Sequence, residues 1–258
     1  MNRKLIFFDI DGTLLDRDKN IPDSTKRAVA ELNKAGHELV IATGRGPFML
    51  AEVGRALGIE SYVSFNGSYV VYKGEVLYRH ALDEKRLEEL TRLTDANRHP
   101  LVYMTPEGMR TSTDQNAYLD AGSEAMKLKL PPHEPGFYKG KEIYQCLLFC
   151  TEEDEGCYKE SFAEFGYNRW HRYGSDLMPP GGSKAKGIEA LIRKAGFQPE
   201  DIYAFGDGLN DLEMLRLVHH SVAMGNAPDE VKRAARYVTK DVSEDGIWHG
   251  LQMLGFLG

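Results

Sequence analysis

Short apolar runs alternate with helical stripes over the first third of the chain. Residues 5–8 form an apolar run closed by polar residues, which is typical of a buried strand, and residues 38–42 and 62–65 repeat the pattern. Between these runs, apolar residues recur at helical spacing and stop at Gly36 and Gly58, which predicts two helices. The order strand, helix, strand favours parallel pairing through right-handed crossovers.

The last third of the chain resumes this alternation, after a predicted hairpin over residues 69–78. A helix is predicted over 184–195, a strand over 202–205, a helix over 209–217, a strand over 221–224, a helix over 228–235, a short strand over 237–239 and a terminal helix from about Asp245. Both ends of the chain therefore supply strands and helices of one α/β layer structure.

The middle of the chain has a different pattern, with an amphipathic helix, scattered strands and a Pro-rich link at 131–136. The predicted fold class is α/β, a Rossmann-like parallel-sheet core with an inserted α+β cap domain. The predicted domains are a core formed by 1–81 and 182–258 and a cap, which selects the substrate, formed by 82–181. A phosphate site recognises little beyond the phosphoryl group, so contacts to the rest of a substrate are expected from the cap, with Tyr103, Arg110 and Tyr144 as candidates; the alternative is that these three are core or strand-face residues.

Composition and charge narrow the class of protein. The 258 residues carry a formal net charge of −7, which disfavours nucleic acid and anionic membrane surfaces as partners. The three cysteines form neither a disulfide framework nor a thiolate zinc site, and no apolar run approaches the length of a membrane span. We expect a cytoplasmic protein that is a monomer or a weak homodimer and whose partner is a small molecule.

Four polar clusters carry the candidate chemistry, and three of them directly follow apolar strands. They are Asp9-Ile10-Asp11-Gly12-Thr13, Thr43-Gly44-Arg45, Ser183-Lys184 and Gly206-Asp207-Gly208-Leu209-Asn210-Asp211. Because the carboxyl ends of parallel strands border the ligand crevice of an open sheet, these clusters can converge in space.

Each cluster contributes a group that a phosphate site needs. Asp9, Asp11 and Asp207 offer the hard oxygen ligands that Mg²⁺ prefers, and Lys184 offers a compact positive charge. A carboxylate is also a competent nucleophile, so Asp9 could form an aspartyl phosphate while Asp11 moves the proton. Taken singly, Asp-Gly pairs are mostly turns and a helix-start lysine is mostly solvated. A D-x-D-G-T pattern, however, arises by chance only on the order of a few times per thousand chains of this size.

At these residues the sequence resembles the haloacid dehalogenase-like hydrolase superfamily, and within it the Cof-type phosphatases with a large α/β cap. The resemblance covers the whole chain, and the four clusters match the four motifs in order. It implies Asp9 as nucleophile, Asp11 as general acid and base, and magnesium held by the Asp9 carboxylate, the Asp11 carbonyl and Asp207. Asp211 would support that ion indirectly, through water or Lys184. The resemblance further implies phosphate contacts from the Ile10 backbone, Thr43, Gly44, Lys184 and Asn210.

One departure from the family pattern concerns the third motif, where Ala185 rather than glycine follows the lysine. We assign the motif to Lys184 and not to Lys186. The predicted activity is magnesium-dependent hydrolysis of a small phosphorylated metabolite, such as a sugar phosphate, nucleotide or cofactor phosphate. Two alternatives share the same site: a phosphomutase acting on a sugar phosphate, and a non-catalytic sensor of phosphate ligands.

Overall fold

The computed structural model describes residues 2–125 and 129–258 and divides into two compact units. Unit 1 comprises Met1–Arg45, Met49–Tyr78 and Ser183–Gly258, and unit 2 comprises Gly46–Phe48 and Arg79–Gly182. All four polar clusters of the sequence lie in unit 1.

The described residues form strands β1 (Leu5–Phe8), β2 (Glu38–Ala42), β3 (Ser61–Ser64), β4 (Tyr69–Tyr72), β5 (Glu75–Arg79), β6 (Leu101–Thr105), β7 (Gly108–Thr111), β8 (Gln145–Phe149), β9 (Gly166–His171), β10 (Gly174–Met178), β11 (Ile202–Gly206), β12 (His220–Ala223) and β13 (Tyr237–Val238). The α-helices are α1 (Asp23–Lys34), α2 (Ala51–Leu57), α3 (Glu84–Asn97), α4 (Ala117–Ala125), α5 (Glu152–Ser161), α6 (Lys184–Ala195), α7 (Leu212–Leu217), α8 (Asp229–Ala234) and α9 (Gly246–Met253).

Unit 1 is built on an eight-stranded sheet in the order β13-β12-β11-β1-β2-β3-β4-β5. The six strands from β13 to β3 pair in parallel, and β4 pairs antiparallel with β3. From β1 the chain moves outward to β2 and β3, and it later returns to the other side of β1 through β11. The strand order therefore reverses next to β1, and such a switch point is where open α/β sheets bind ligands.

Both faces of this sheet are covered, which explains why its strands read as continuous apolar runs. Side chains alternate across β1, so that Ile6 and Phe8 enter one hydrophobic core while Leu5 and Phe7 enter the other. All four side chains are fully buried. The burial holds the amino-terminal strand in the middle of the sheet and leaves the residue after Phe8 at the crevice.

Unit 2 contains a five-stranded antiparallel sheet in the order β7-β6-β8-β10-β9, together with α3, α4 and α5. Its core includes Tyr103, whose hydroxyl lies 3.0 Å from the Thr91 hydroxyl, so the core interpretation applies to this tyrosine. Tyr144 is also buried and its hydroxyl donates to Glu142. Arg110 is half-buried and pairs with Glu134. No substrate role follows for these three residues from unit 2 alone.

The architecture confirms the predicted fold class, a parallel-sheet core with flanking helices and an inserted α+β domain. The sequence pattern did not predict β7, α4 or β10. In residues 2–125 and 129–258, none of the helices combines the length and the apolar character that crossing a membrane requires.

Candidate active site

Polar side chains gather at the carboxyl ends of neighbouring parallel strands. Asp9 follows β1, Thr43 follows β2, Asn66 lies two residues beyond β3, and Asp207 follows β11. Lys184 joins them as the first residue of α6. The clusters that are far apart in the sequence are therefore brought together at one edge of the sheet, as the strand-end pattern predicts.

A buried ammonium group joins two of the aspartates. Lys184 Nζ lies 2.5 Å from Asp9 Oδ1 and 2.6 Å from Asp211 Oδ1, and neither the lysine nor Asp211 has an exposed side chain. Lys186, the other candidate for this role, is exposed. Charge-assisted hydrogen bonds are at their strongest away from water, so Lys184 holds the Asp9 carboxylate in one orientation.

The third carboxylate, Asp207, is fixed by two other segments of unit 1. Its Oδ1 accepts from the Thr13 hydroxyl at 2.9 Å, and its Oδ2 accepts from Asn226 Nδ2 at 3.1 Å. The same Asn226 amide donates to the Gly12 carbonyl oxygen at 2.9 Å. Gly12 has a φ of +84°, and a Cβ there would lie 2.1 Å from Asp207 Oδ2, so only glycine fits between the two aspartate loops.

Asp211 accepts hydrogen bonds from the Lys184 side chain and from two backbone amides. Besides accepting from Lys184, its Oδ2 accepts from the backbone amides of Asp207 and Gly208, both at 2.9 Å. Both carboxylate oxygens thus carry bonds from the protein, which supports the indirect role that the resemblance implies for this residue.

Asp11 lies in a separate, cationic environment. Arg45 binds both of its carboxylate oxygens, with Nε 2.7 Å from Oδ2 and Nη2 2.5 Å from Oδ1, and Lys19 Nζ lies 2.6 Å from Oδ1. Burial acts to raise the pKa of Asp11, but the bonds and charges of Arg45 and Lys19 outweigh it and hold this pKa below its ordinary value. Asp11 is therefore ionised at neutral pH, the state in which a carboxylate accepts a proton.

The remaining predicted phosphate ligands lie around the ends of β2 and β3. The Thr43 hydroxyl is buried and accepts from the Arg45 amide at 3.2 Å, while the Thr43 carbonyl accepts from the Asn66 amide at 3.1 Å. Asn66 Oδ1 in turn accepts from Asn210 Nδ2 at 3.1 Å. A Cβ on Gly44 would lie 3.0 Å from the Asn66 side chain, so the backbone passes close to that amide.

Ile10 contributes through its backbone alone. Its side chain is fully buried in the core, and its carbonyl oxygen accepts from the amides of Thr13, Leu14 and Leu15. These bonds turn the chain directly after β1 and place Asp9 and Asp11 on the same loop.

The electrostatics of the carboxylate cluster fit a divalent cation. Asp9, Asp207 and Asp211 each offer a carboxylate oxygen, and these atoms lie within 4.8 Å of one another. Burial and repulsion by Asp211 raise the pKa of Asp9 well above its usual range and that of Asp207 to about 7. The Lys184 ammonium is bonded to two of these three carboxylates, Asp211 and Asp9, which raise its pKa against the effect of burial. The oxygen-only donor set is the type that magnesium prefers.

Sequence reasoning missed several residues of this site. Thr13 and Arg45 stand inside recognised motifs, and Asn66 follows a predicted strand, so their positions could have indicated a role. Asn226 lies two residues beyond the predicted strand 221–224, which corresponds to β12. Its position after a strand was therefore a weaker indication of a role in the site. Lys19 lies in an ordinary polar turn, and nothing in the sequence distinguishes it from other surface lysines.

Comparisons with known proteins show the family and the fold of this chain. A family model described as haloacid dehalogenase-like hydrolase matches residues 6–251. A Bacillus subtilis (strain 168) protein named "Putative phosphatase YkrA" is 46% identical over 257 residues, which cover 100% of both chains.

Two solved structures extend the comparison. A crystal structure of a protein from Geobacillus kaustophilus HTA426 is 49% identical, with a TM-score of 0.94 over 99% of this chain and 100% of that chain. The sugar phosphatase BT4131, of HAD subclass IIB, is 31% identical, with a TM-score of 0.88 over 98% of this chain and 100% of that chain.

Proposed function

We propose that this chain, which belongs to the haloacid dehalogenase-like hydrolase family and is a phosphatase of its Cof type, hydrolyses a small phosphorylated metabolite through an aspartyl phosphate on Asp9. Family membership confirms the prediction of a phosphoric monoester hydrolase. The observation that carries the rest is the buried Lys184 ammonium between Asp9 and Asp211, with Asp207 beside them. A cluster with this donor set suits a phosphate dianion and a divalent cation.

In the proposed first half-reaction, the carboxylate of Asp9 attacks phosphorus and the bond from phosphorus to the ester oxygen breaks. Asp11 gives a proton to that oxygen, so that an alcohol leaves. Asp11 is bound by Arg45 and Lys19 and has a lowered pKa, so at least one of these bonds must loosen before Asp11 carries the proton. Lys184 keeps the attacking carboxylate in place.

In the second half-reaction, water attacks the phosphorus of the aspartyl phosphate. Asp11 takes the proton of this water, the bond between phosphorus and the Asp9 oxygen breaks, and inorganic phosphate leaves with Asp9 restored as a carboxylate. The lowered pKa of Asp11 suits this step, because an ionised carboxylate is ready to accept the proton.

Magnesium is the proposed cofactor, held by the Asp9 and Asp207 carboxylates and the Asp11 carbonyl. When bound, it would neutralise charge between the carboxylates and the phosphate and so allow two anions to approach. The protein's part is to hold those oxygens in position: Thr13 and Asn226 orient Asp207, and Lys184 orients Asp9.

The test is rapid acid quenching of the enzyme during turnover of ³²P-labelled phosphoester with magnesium. Wild-type protein should retain the ³²P label, and Asp9→Asn should retain none. Asp9→Asn should also turn over p-nitrophenyl phosphate at least about a thousandfold more slowly than wild-type. EDTA should abolish the turnover of wild-type protein. Asp11→Asn should both form and release the labelled intermediate slowly, since it lacks the acid of the first step and the base of the second.

Asp229→Asn is the matched control, because Asp229 is an exposed aspartate at the start of α8. It should behave like wild-type in both measurements. Undiminished turnover by Asp9→Asn, or label that is retained without Asp9, would refute the proposed nucleophile.

A further inference from the structure

Lys19 lies beside Asp11 because of a short, fully bonded turn after β1. Asp16 Oδ1 accepts from the amides of Asp18 and Asn20, both at 2.9 Å, and the Lys19 amide donates to the Asp16 carbonyl at 3.0 Å. Lys19 itself has a φ of +66°, a left-handed conformation in which glycine or asparagine is usual. The backbone at position 19 favours another residue type, and strained positions of this kind are concentrated at functional sites.

Asp11 and the two cations bonded to it together carry a net positive charge. Asp11 contributes one negative charge, and its two bonded partners, Arg45 and Lys19, contribute two positive charges. The cluster of Asp9, Asp207, Asp211 and Lys184 sums to −2 on the same count. The loop after β1 therefore separates a negative side, which suits the cation, from a positive side at Asp11.

Neither of the two cations uses all of its hydrogen-bond donors on Asp11. An ammonium has three N–H donors, and the bond to Asp11 uses one of those of Lys19. A guanidinium has five, and the two bonds to Asp11 leave three on Arg45. The Lys19 side chain is 37% exposed, so it is within reach of a ligand from solvent.

The position of these donors relative to a substrate follows from the proposed function, on which this inference rests. Asp11 must contact the ester oxygen of the leaving group in order to give it a proton. Its partners therefore lie within about two hydrogen-bond lengths of that oxygen, or about 5–6 Å. The surroundings of the leaving group are thus cationic on this side.

We propose that Lys19, together with Arg45, forms a subsite for a second anionic group, so that the preferred substrates are phosphoesters whose leaving group carries a carboxylate or a further phosphate close to the ester oxygen. Lys19 is a specificity-determining residue in this arrangement. It binds the second anion of the substrate and is not required for attack at phosphorus.

The test compares two substrates that differ in one group, 3-phosphoglycerate and glycerol 3-phosphate. The first has a carboxylate where the second has a hydroxymethyl group. Wild-type protein with magnesium should show a kcat/KM on the order of tenfold higher for 3-phosphoglycerate. In Lys19→Met, kcat/KM for 3-phosphoglycerate should fall about tenfold further than that for glycerol 3-phosphate, and this difference should lie mainly in KM. Lys19→Arg should keep most of the preference, and added salt should reduce it in wild-type.

Two further variants separate specificity from folding. Lys19→Gly should lose the preference but keep its Tm within about 2 °C of wild-type, since glycine adopts the left-handed conformation readily. Lys73 is the matched control: it is also left-handed, with a φ of +53°, and pairs with Glu38, which lies at the opposite end of β2 from Thr43. Lys73→Met should leave both kcat/KM values unchanged.

The outcomes are distinguishable from those for the proposed function. If wild-type protein hydrolyses p-nitrophenyl phosphate but shows no higher kcat/KM for the glycerate ester, or if Lys19→Met lowers both values equally, the anion subsite is refuted and the phosphatase activity stands. If wild-type protein with magnesium hydrolyses none of the three phosphoesters, the proposed function itself is refuted.

Discussion

Replacing Lys184 by methionine should destabilise the protein far more than the same change at Lys186. The two lysines are two residues apart at the start of α6, but Lys184 is fully buried and Lys186 is exposed. Methionine keeps the length of the side chain and removes the charge. In Lys184→Met, the carboxylates of Asp9 and Asp211 lose their shared cation inside the protein.

The expected magnitude follows from the two bonds that are lost. Hydrogen bonds to charged groups contribute about 1.5–3 kcal/mol each, and leaving a buried charge without its partner costs about 3–5 kcal/mol. For a protein of this size the latter range corresponds to a fall in Tm of about 6–20 °C. An exposed lysine contributes within about 0.5 kcal/mol, so Lys186→Met should melt within about 2 °C of wild-type.

The assay is thermal unfolding of the full chain in EDTA. The chelator ensures that no bound cation compensates for the missing charge in only one of the variants. Circular dichroism at neutral pH reports the transition. If Lys184→Met melts within about 2 °C of Lys186→Met, the reasoning from buried charge is wrong, and Lys184 contributes nothing to the stability of the site.

Three further predictions concern other contacts. Gly12→Ala should lower kcat/KM by about a hundredfold because its Cβ would displace Asp207. Gly36→Ala is the control: its φ is +77° and no atom lies within 4 Å of the added Cβ, so it should lose stability from the left-handed backbone alone and keep its kcat/KM. Steady-state kinetics and thermal unfolding of both variants measure the two effects. Asn226→Ala should weaken the apparent affinity for magnesium by about 10–100-fold in an activation curve, since it removes a donor to Asp207; an unchanged curve would contradict that role. Glu155→Gln in unit 2 should lose about 1–3 kcal/mol at pH 7, measured by urea unfolding followed through Trp170 fluorescence. Burial acts to raise the pKa of the Glu155 carboxylate, but Lys159 and Arg169 hold it below its ordinary value, so this stability is present above about pH 4.3 and is lost as pH falls through the lower folded pKa. A difference that does not shrink as pH falls below about 4.3 would refute the assignment.

The centre of the core sheet could be predicted from the sequence because its middle strands, such as β1 and β11, are buried on both faces. A run such as Leu5–Phe8 has no polar residue to confuse the pattern, and the polar residue after it marks the strand end. Strand β10 was missed for the opposite reason: all five of its residues are buried, but Ser175 and Asp176 are polar. Hydrophobic periodicity does not detect a strand whose buried positions are polar and bonded inside the sheet.

The site could be predicted as far as each residue followed a strand. Asp9, Thr43 and Asp207 all occupy that position, and the parallel sheet brings them together. Lys19 and Asn226 reach the same site from a turn and from the loop beyond β12, so their contacts depend on the path of the loops. Loop paths depend on contacts between distant segments, which a pattern along one chain does not contain.

The difference between Asp9 and Asp11 shows what three-dimensional placement adds to a motif. Both stand in one five-residue motif and have the same intrinsic acidity, yet burial and repulsion by Asp211 raise the pKa of Asp9, whereas Arg45 and Lys19 lower that of Asp11. Asp9 is buried with two other carboxylates, whereas Asp11 is bound by two cations that the motif does not include. Pairs of carboxylates whose environments move their pKa values apart can take different roles in one reaction. In the proposed mechanism, the division of labour between nucleophile and base therefore depends on the charged neighbours of the two aspartates, such as Lys184 and Arg45, as well as on the aspartates themselves.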